Sequence, residues 1–514
     1  MKYDCVVVGS GHAGSCAALS AVENGCKKVL LVDSCSPEWV GGNGYFTAGA
    51  HRIVHGGLHD LLPLVRNVSP EMASKIDMDP YTAEQFEEDI MRLGGRRSNK
   101  ALVNAVVHNS RDTLGWLHNH VNVPFIFPFH RQAYEVDGRQ KFWGGLVISV
   151  EDGGKGLITA HQRALAKAGV EVWFNSPIIR LIVQDNSTKG IIVQRDGLDI
   201  EFQTPAVVLA AGGFEANSEM REKHLGPGWE KAKVRGTPYN TGDCLRLARE
   251  VGAKFSGDWS GCHSTAWDAN APDSAGARDV TNQFTKSGYP LGVMVNLNGE
   301  RFVDEGEDFR NYTYAKFGRA ILSQPEGIAF QIWDSKVLGS LRKEEYGDGV
   351  TEKIYSDTLE GLAQRLGEKG LRDQSRFLST MQEFNDAVRL HEAEYPDQKA
   401  DLSIKDGFST QSSQRSVTPP KSNWALALDR DPFMAVKVTC GITFTFGGLA
   451  IDAETAAVVS ETTGETIDGL FCTGEMVGGL FYTNYPGGSG LTAGAVFGRK
   501  AGYGASLRSG KINS

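Results

Sequence analysis

The sequence predicts an α/β protein in which a nucleotide-binding domain of alternating strands and helices is interrupted by an inserted α+β domain. Three observations carry that prediction. A strand, a glycine turn, a helix and a second strand open the chain; composition changes near residue 255; and glycine-punctuated strands return after about residue 431. Glycine supplies 61 of 514 residues, about 12% against an ordinary share of roughly 7%. These glycines form neither a Gly-X-Y period nor a linker. They cluster, as they do where backbone passes close to a ligand.

The elements follow in order. Asp4–Val8 is a short apolar run ending at glycine, the pattern of a buried strand. His12–Asn24 carries Ala13, Ala17, Ala18 and Ala21 on one close-packing helical face, and Val29–Val32 is a second buried strand. Parallel strands joined by a helix make a Rossmann-like β-α-β unit. Helices are predicted over Glu84–Leu93, Ala101–His118 and Leu157–Ala168. Strands are predicted over Glu171–Phe174, Ile178–Val183, Gly190–Arg195 and Pro205–Ala211. Two amphipathic stretches, Thr358–Lys369 and Arg372–Tyr395, mark the inserted part, and Asp406–Lys421 reads as a solvent-exposed polar loop. The strand Leu470–Cys472 and a helix from Leu491 close the first domain. The predicted division is 1–254 and 432–514 for the nucleotide-binding domain and 255–431 for the insertion.

Composition bounds the function. Hydrophobic residues are 41% and charged residues 22%, as in a globular protein with a large core. The net charge of −9, with no basic stripe, argues against a nucleic-acid partner. The first residues are too short for a signal-peptide core, and no apolar run approaches a membrane span, so a cytoplasmic location is expected. The eight cysteines never form C-x-x-C, so buried reduced thiols are expected, with no disulfide framework and no metal site. No iron–sulfur or haem-attachment pattern occurs, which makes any electron donor or acceptor external.

The most specific motif is Gly9-Ser10-Gly11-His12-Ala13-Gly14, followed by Asp33 at the end of the second strand. In this context G-x-G-x-x-G is a dinucleotide fingerprint: Gly9 for the tight turn, Gly11 for pyrophosphate approach, Gly14 for helix packing. The helix N-terminus offers free N–H groups, and Asp33 can accept hydrogen bonds from ribose hydroxyls. FAD and NAD both use this fingerprint. Three features favour FAD. Gly41-Gly42-Asn43-Gly44 follows the second strand; Thr473-Gly474-Glu475 follows a late strand; and Gly487-Gly488-Ser489-Gly490-Leu491 enters a helix able to stabilise an anionic reduced ring.

On these residues the chain resembles the succinate dehydrogenase/fumarate reductase flavoprotein family over nearly its whole length. The resemblance rests on Val7–Gly14, Asp33, Gly41-Gly42-Asn43, Ala210-Ala211-Gly212-Gly213-Phe214 and Thr241-Gly242-Asp243. It continues through Gly299-Glu300-Arg301-Phe302-Val303-Asp304-Glu305, Phe446-Gly447-Gly448 and Thr473-Gly474-Glu475. Within the family the runs from Glu305 to Tyr314 and from Asn484 to Gly488 are most similar to the tricarballylate dehydrogenase branch. The Tyr485-Pro486-Gly487 element is also similar to ketosteroid 1-dehydrogenases. The resemblance implies a Rossmann-like FAD-binding domain interrupted by an α+β capping domain, with substrate held between them. It implies hydride transfer between a substrate carbon and flavin N5, and proton transfer at the neighbouring carbon. Fingerprint and resemblance together give the expected cofactor-binding residues: Gly9, Gly11, His12, Ala13, Gly14, Asp33 and Ser34 from the opening unit, then Gly41, Gly42 and Asn43. The rest are Ala211, Gly212 and Asp243 in mid-chain, and Gly474, Glu475, Ser489, Gly490 and Leu491 near the end.

For the chemistry, Arg310 matches the family's proton-transferring arginine with one extra residue of spacing, and its fork suits a carboxylate. Its competing assignment is an ordinary salt bridge to Glu305, Glu307 or Asp308. His263, in Gly261-Cys262-His263-Ser264-Thr265, matches the substrate-binding histidine, against the alternative of a structural imidazole. Two departures matter: Phe444 stands where fumarate reductases have a second histidine, and Tyr485 where they have an arginine. The family's Thr-Glu-x-x-Arg proton path has no counterpart in Phe284–Tyr289. Tyr485, Tyr482 and Tyr289 are candidate phenols or packed rings, and Arg52 and His55 are candidates for positive charge near the flavin. His51 and His55 sit later than the covalent-attachment position of respiratory members, so FAD is expected to be non-covalent.

The expected activity is α,β-dehydrogenation, C–C to C=C, of a carboxylate- or carbonyl-activated small molecule resembling tricarballylate. Two alternatives stay open: a soluble fumarate or enoate reductase running the reverse reaction, and a flavin-binding electron-transfer or redox-sensing protein.

Overall fold

Four consecutive buried residues, Cys5–Val8, form the central strand of a nine-stranded sheet in the computed structural model, which describes residues 2–272, 278 and 280–513. This strand is parallel on one side to Val29–Val32, with Val6 opposite Leu30, and on the other to Val207–Leu209, with Val6 opposite Val207. Glu171–Trp173 extends the sheet beyond Val29–Val32, and Thr466–Cys472 lies beyond Val207–Leu209. The late strand therefore completes a sheet begun by the first residues.

The helix His12–Glu23 is predicted by its alanines, and its partner shows why they are there. Gly494, Gly498 and Gly502 of the helix Ser489–Asn513 pack on it so closely that a Cβ on Gly502 would lie 2.3 Å from the Ala17 carbonyl oxygen. Small residues on both helices let the backbones meet. Lys100–Trp116 and Gly153–Lys167 pack around this pair. The chain divides into two compact units. The first holds Met1–Pro227, Gly236–Cys262 and Thr443–Ser514; the second holds Gly228–Arg235 and His263–Ile442. These limits fall inside the strands Phe255–Asp268 and Phe433–Leu449, not at the composition changes near 255 and 431.

In the second unit Ala329–Trp333 runs antiparallel to Val293–Asn296 and to the strand Phe433–Leu449. Side chains alternate across the sheet with the two-residue period of a strand. Val293, Val295, Phe330 and Ile332 join one core with Leu362, Phe377 and Phe384 from the helices Leu359–Glu368 and Gln374–Glu394. Met294, Ala329 and Trp333 join a second core with Tyr289 and Phe317. Thr358 and Asp373 cap those two helices, which match the amphipathic stretches predicted from sequence.

Two local expectations are corrected. Leu198–Gln203 is a third strand beside Ser187–Arg195; its polar alternation hides it because much of it faces solvent. Asp406–Lys421 is not an exposed loop throughout. Asp406, Phe408, Thr410 and Lys421 are buried, and the Lys421 Nζ donates to the Gly292 carbonyl at 2.6 Å. Burial lowers its ammonium to about 8, opposed by the nearby Glu305 carboxylate. All eight cysteines are free and buried. Among the described residues no helix is long and apolar enough to cross a membrane.

Candidate functional site

The fingerprint glycines differ in what they do. Gly9 has φ 110°, and a Cβ there would lie 2.3 Å from the Ala210 carbonyl oxygen; at Gly14 it would lie 2.0 Å from the Gly9 oxygen. Both positions require glycine for the fold itself. Gly11 does not: the nearest atom to a Cβ there is 3.6 Å away, an ordinary contact. Its missing side chain instead leaves the approach to the helix open. That helix has no side-chain cap, whereas Thr82, Asn99, Asp373 and Thr358 cap others. Its first N–H groups and the positive end of its dipole form an anion cradle.

Asp33 braces that turn. Its Oδ2 accepts from the Ser10 N–H and hydroxyl, both at 2.6 Å, and its Oδ1 from the Cys35 N–H at 2.9 Å. Oδ1 retains a lone pair for a further donor. Ser34 is exposed beside it. The His12 imidazole is buried, 2.8 Å from His161 Nε2 and 3.1 Å from the Leu491 carbonyl, so His12 can offer a phosphate only its backbone N–H. The His12–Leu491 contact ties together the starts of the two packed helices, where Ala13 meets Gly494. His12, Cys16 and His161 also place three metal-ligand-type atoms within 4.8 Å of one another, all buried, at a point where the sequence suggested no metal. Burial holds His161 at about 3 and lowers His12 well below the usual histidine range, so both imidazoles are neutral.

Asn43 turns its side chain inward. Its Nδ2 donates to Glu215 Oε1 and to the Thr443 carbonyl, the latter at 2.6 Å, while its Oδ1 accepts from the Thr237 N–H at 2.8 Å. Asn240 Nδ2 donates to the same Glu215 oxygen at 2.5 Å. Glu475 lies against Glu215, and its Oε1 accepts from the Thr445 N–H at 2.7 Å and hydroxyl at 2.9 Å. Burial pushes Glu215 up to about 7 and, together with the Glu215 charge, raises Glu475 well above the carboxylate range. Two buried neighbouring carboxyls resist losing both protons, so the pair favours a bound proton. Sequence reasoning named Asn43 and Glu475 but missed Glu215, although an acid directly after a buried Gly-Gly-Phe is a visible signal. Gly212 packs against Asn240, Gly474 against Ala13, and Asp243 is an exposed helix start bonded to Thr241 at 2.6 Å. Ser489 is buried and donates to the Pro486 carbonyl at 2.5 Å, and Ala211 N–H contacts Met476 sulfur at 3.3 Å.

Of the positive charge expected from Arg52 and His55, only that of Arg52 is present, and it is paired. Arg52 is fully buried, bonded to the Gly487 carbonyl at 2.9 Å and paired with Asp89 at 3.6 Å, while burial lowers His55 towards its neutral form. His51 is held neutral, at about 4, with its Nδ1 3.0 Å from the Gly49 carbonyl. Tyr482 carries the Arg97 guanidinium 4.8 Å over its ring. Tyr485 belongs to an aromatic cluster with Phe444, Phe446 and Phe481 at ring separations of 5.7, 5.9 and 5.0 Å. The two replaced cation positions, 444 and 485, thus meet as tilted aromatic rings.

In the second unit the other named residues come together. Tyr289 is fully buried, its hydroxyl 2.7 Å from Thr313 Oγ1, with the Arg310 charge close enough to act on it. Burial raises the Tyr289 pKa despite that cation, so the phenol stays protonated. Glu305 pairs with Arg301, Glu307 with Lys316 and Asp308 with Lys405. His263 is buried edge-on to Tyr314 at 4.9 Å, and burial plus the Arg235 charge keep it neutral. Where the proton path has no counterpart in sequence, Lys286 is buried 3.5 Å from Asp268, and Ser287 donates to Glu345 at 2.7 Å.

A parallel sheet, an uncapped helix start behind an open glycine, and a second helix start tied to the first define a dinucleotide-binding α/β protein. The FAD binding domain family matches residues 68–491. The chain belongs to that family, among the succinate dehydrogenase/fumarate reductase flavoproteins, and is an FAD-dependent oxidoreductase acting on CH–CH groups. It is 28% identical over 501 residues to a probable fumarate reductase of Shewanella frigidimarina, covering 97% of this chain and 74% of that protein. The open conformation of a flavocytochrome c3 fumarate reductase superposes with TM-score 0.71 at 26% identity, over 99% of this chain and 78% of the other. A 3-ketosteroid Δ1-dehydrogenase from Sterolibacterium denitrificans shares the fold, with TM-score 0.74 at 20% identity over 98% and 99%.

Proposed function

We propose that the protein dehydrogenates a carbon–carbon single bond next to a carboxylate or carbonyl, in a substrate of the tricarballylate type. The observation that carries this reading is the grouping of Arg310 with Tyr289 and Thr313 in the unit that also holds the neutral His263. FAD, when bound non-covalently at the two helix starts, supplies the acceptor for the hydride. The chain's own groups do the rest. The Arg310 fork binds the activating carboxylate and steadies the negative charge that grows on it as the α-proton leaves. The α-proton passes to Arg310 at the proton-transfer position, which accepts it as the neutral guanidine and is left as the guanidinium that holds the carboxylate; in the reverse direction it returns that proton. Tyr289, kept protonated, donates a hydrogen bond and is not the base. The neutral His263 orients a carbonyl oxygen. The reverse reduction uses the same groups, and the fumarate reductase relatives favour it as the second reading.

The test is turnover of tricarballylate, succinate and androst-4-ene-3,17-dione with an artificial electron acceptor, and of fumarate with a reduced dye. Arg310→Ala should retain FAD while turnover falls by about 10²-fold or more. Near-normal kinetics in that variant would remove Arg310 from the mechanism.

A further inference from the structure

Asn311, next to Arg310 in the short helix Arg310–Thr313, is 4% exposed, yet neither its Oδ1 nor its Nδ2 has a partner among the described residues. Its neighbours differ. Thr313 bonds to Tyr289, and Tyr314 packs on His263. The Ser264 hydroxyl, one residue after His263, is also fully buried and without a partner among the described residues. The two segments are joined, because the Ser264 N–H donates to the Ala315 carbonyl at 2.7 Å. Proteins bury a carboxamide with both ends unmet only rarely, since each unmet group loses its water without compensation. Such a group is explained when a ligand completes it.

We propose that Asn311 is a substrate-binding residue that reads a polar substituent other than the carboxylate held by Arg310. Its Nδ2 donates to an oxygen and its Oδ1 accepts from an O–H or N–H. A hydroxyl, a carboxamide or a protonated carboxyl engages both ends, and a carboxylate or ketone oxygen engages the Nδ2 alone. The inference rests on the reading of Arg310 given above.

Two measurements on the FAD-loaded enzyme test it, using Asn311→Leu and Asn311→Ala. Without ligand, a leucine of similar size removes the unmet groups, so its melting temperature should rise by about 1–3 °C. Titration with tricarballylate, succinate and androst-4-ene-3,17-dione, followed by flavin absorbance, should show the dissociation constant of the tightest binder raised about tenfold or more in both variants. A lower melting temperature in both variants overturns the proposal, because the amide is then satisfied within the fold, for instance by a buried water. Unchanged binding in both, with binding lost in Arg310→Ala, sinks this inference alone. If no compound perturbs the flavin of the unaltered enzyme, or Arg310→Ala binds normally, the proposed function falls and this inference with it.

Discussion

Replacing Glu215 by glutamine should make the protein more stable at alkaline pH than it is with glutamate. Glu215 is completely buried and faces Glu475, Asn43 and Asn240; its pKa is raised from 4.5 to about 7, mainly by burial. A raised acid binds its proton more tightly folded than unfolded. Between pH 4.5 and about 7 the native state therefore carries the extra proton, and stability falls as pH rises through that window. The displacement corresponds to about 3 kcal/mol, shared with Glu475 because the two carboxyls titrate as a pair. Glutamine cannot ionise, and its amide can still accept from Asn43 and Asn240 while donating to Glu475. The assay is thermal unfolding of both proteins at pH 5 and pH 8 in one ionic strength, read as the difference between them. The difference should move in favour of Glu215→Gln by about 1–3 kcal/mol on going to pH 8. If it stays constant, Glu215 is already ionised at pH 5 and the shared proton does not exist.

Two further outcomes are expected. Gly14→Ala sets a Cβ 2.0 Å from the Gly9 carbonyl oxygen, so the turn must move; bound FAD after gel filtration should fall below about a tenth of normal, and full occupancy would contradict the fingerprint reading. The thiols should react with DTNB only on unfolding, since all eight are buried and burial lifts Cys26 and Cys244 to about 12; one rapidly reacting thiol in the native protein would refute this.

Much of the first unit was readable in advance because its signals are local. A glycine that must adopt φ 110° at residue 9, an apolar run before it and alanines after it announce themselves within twenty-five residues. Leu198–Gln203 escaped because an edge strand facing water lacks the apolar run that marks a buried one. The candidate site was legible as residue names, through the family motifs, and illegible as chemistry. Arg52 and His55 look cationic in sequence; only Asp89 and burial reveal that one is ion-paired and the other held towards its uncharged form.

What the sequence by itself determined is the α/β class, the cofactor fingerprint and the family, all properties of short motifs whose geometry is set by steric rules. What only the tertiary structure decided is the state of the polar groups. Burial holds Glu215 towards its protonated form beside Glu475, Lys421 is buried inside a polar stretch, and Asn311 has no side-chain partner among the described residues beside Arg310. The reason is physical: charge and hydrogen bonding depend on which distant residues exclude water, and that exclusion exists only once the chain has packed.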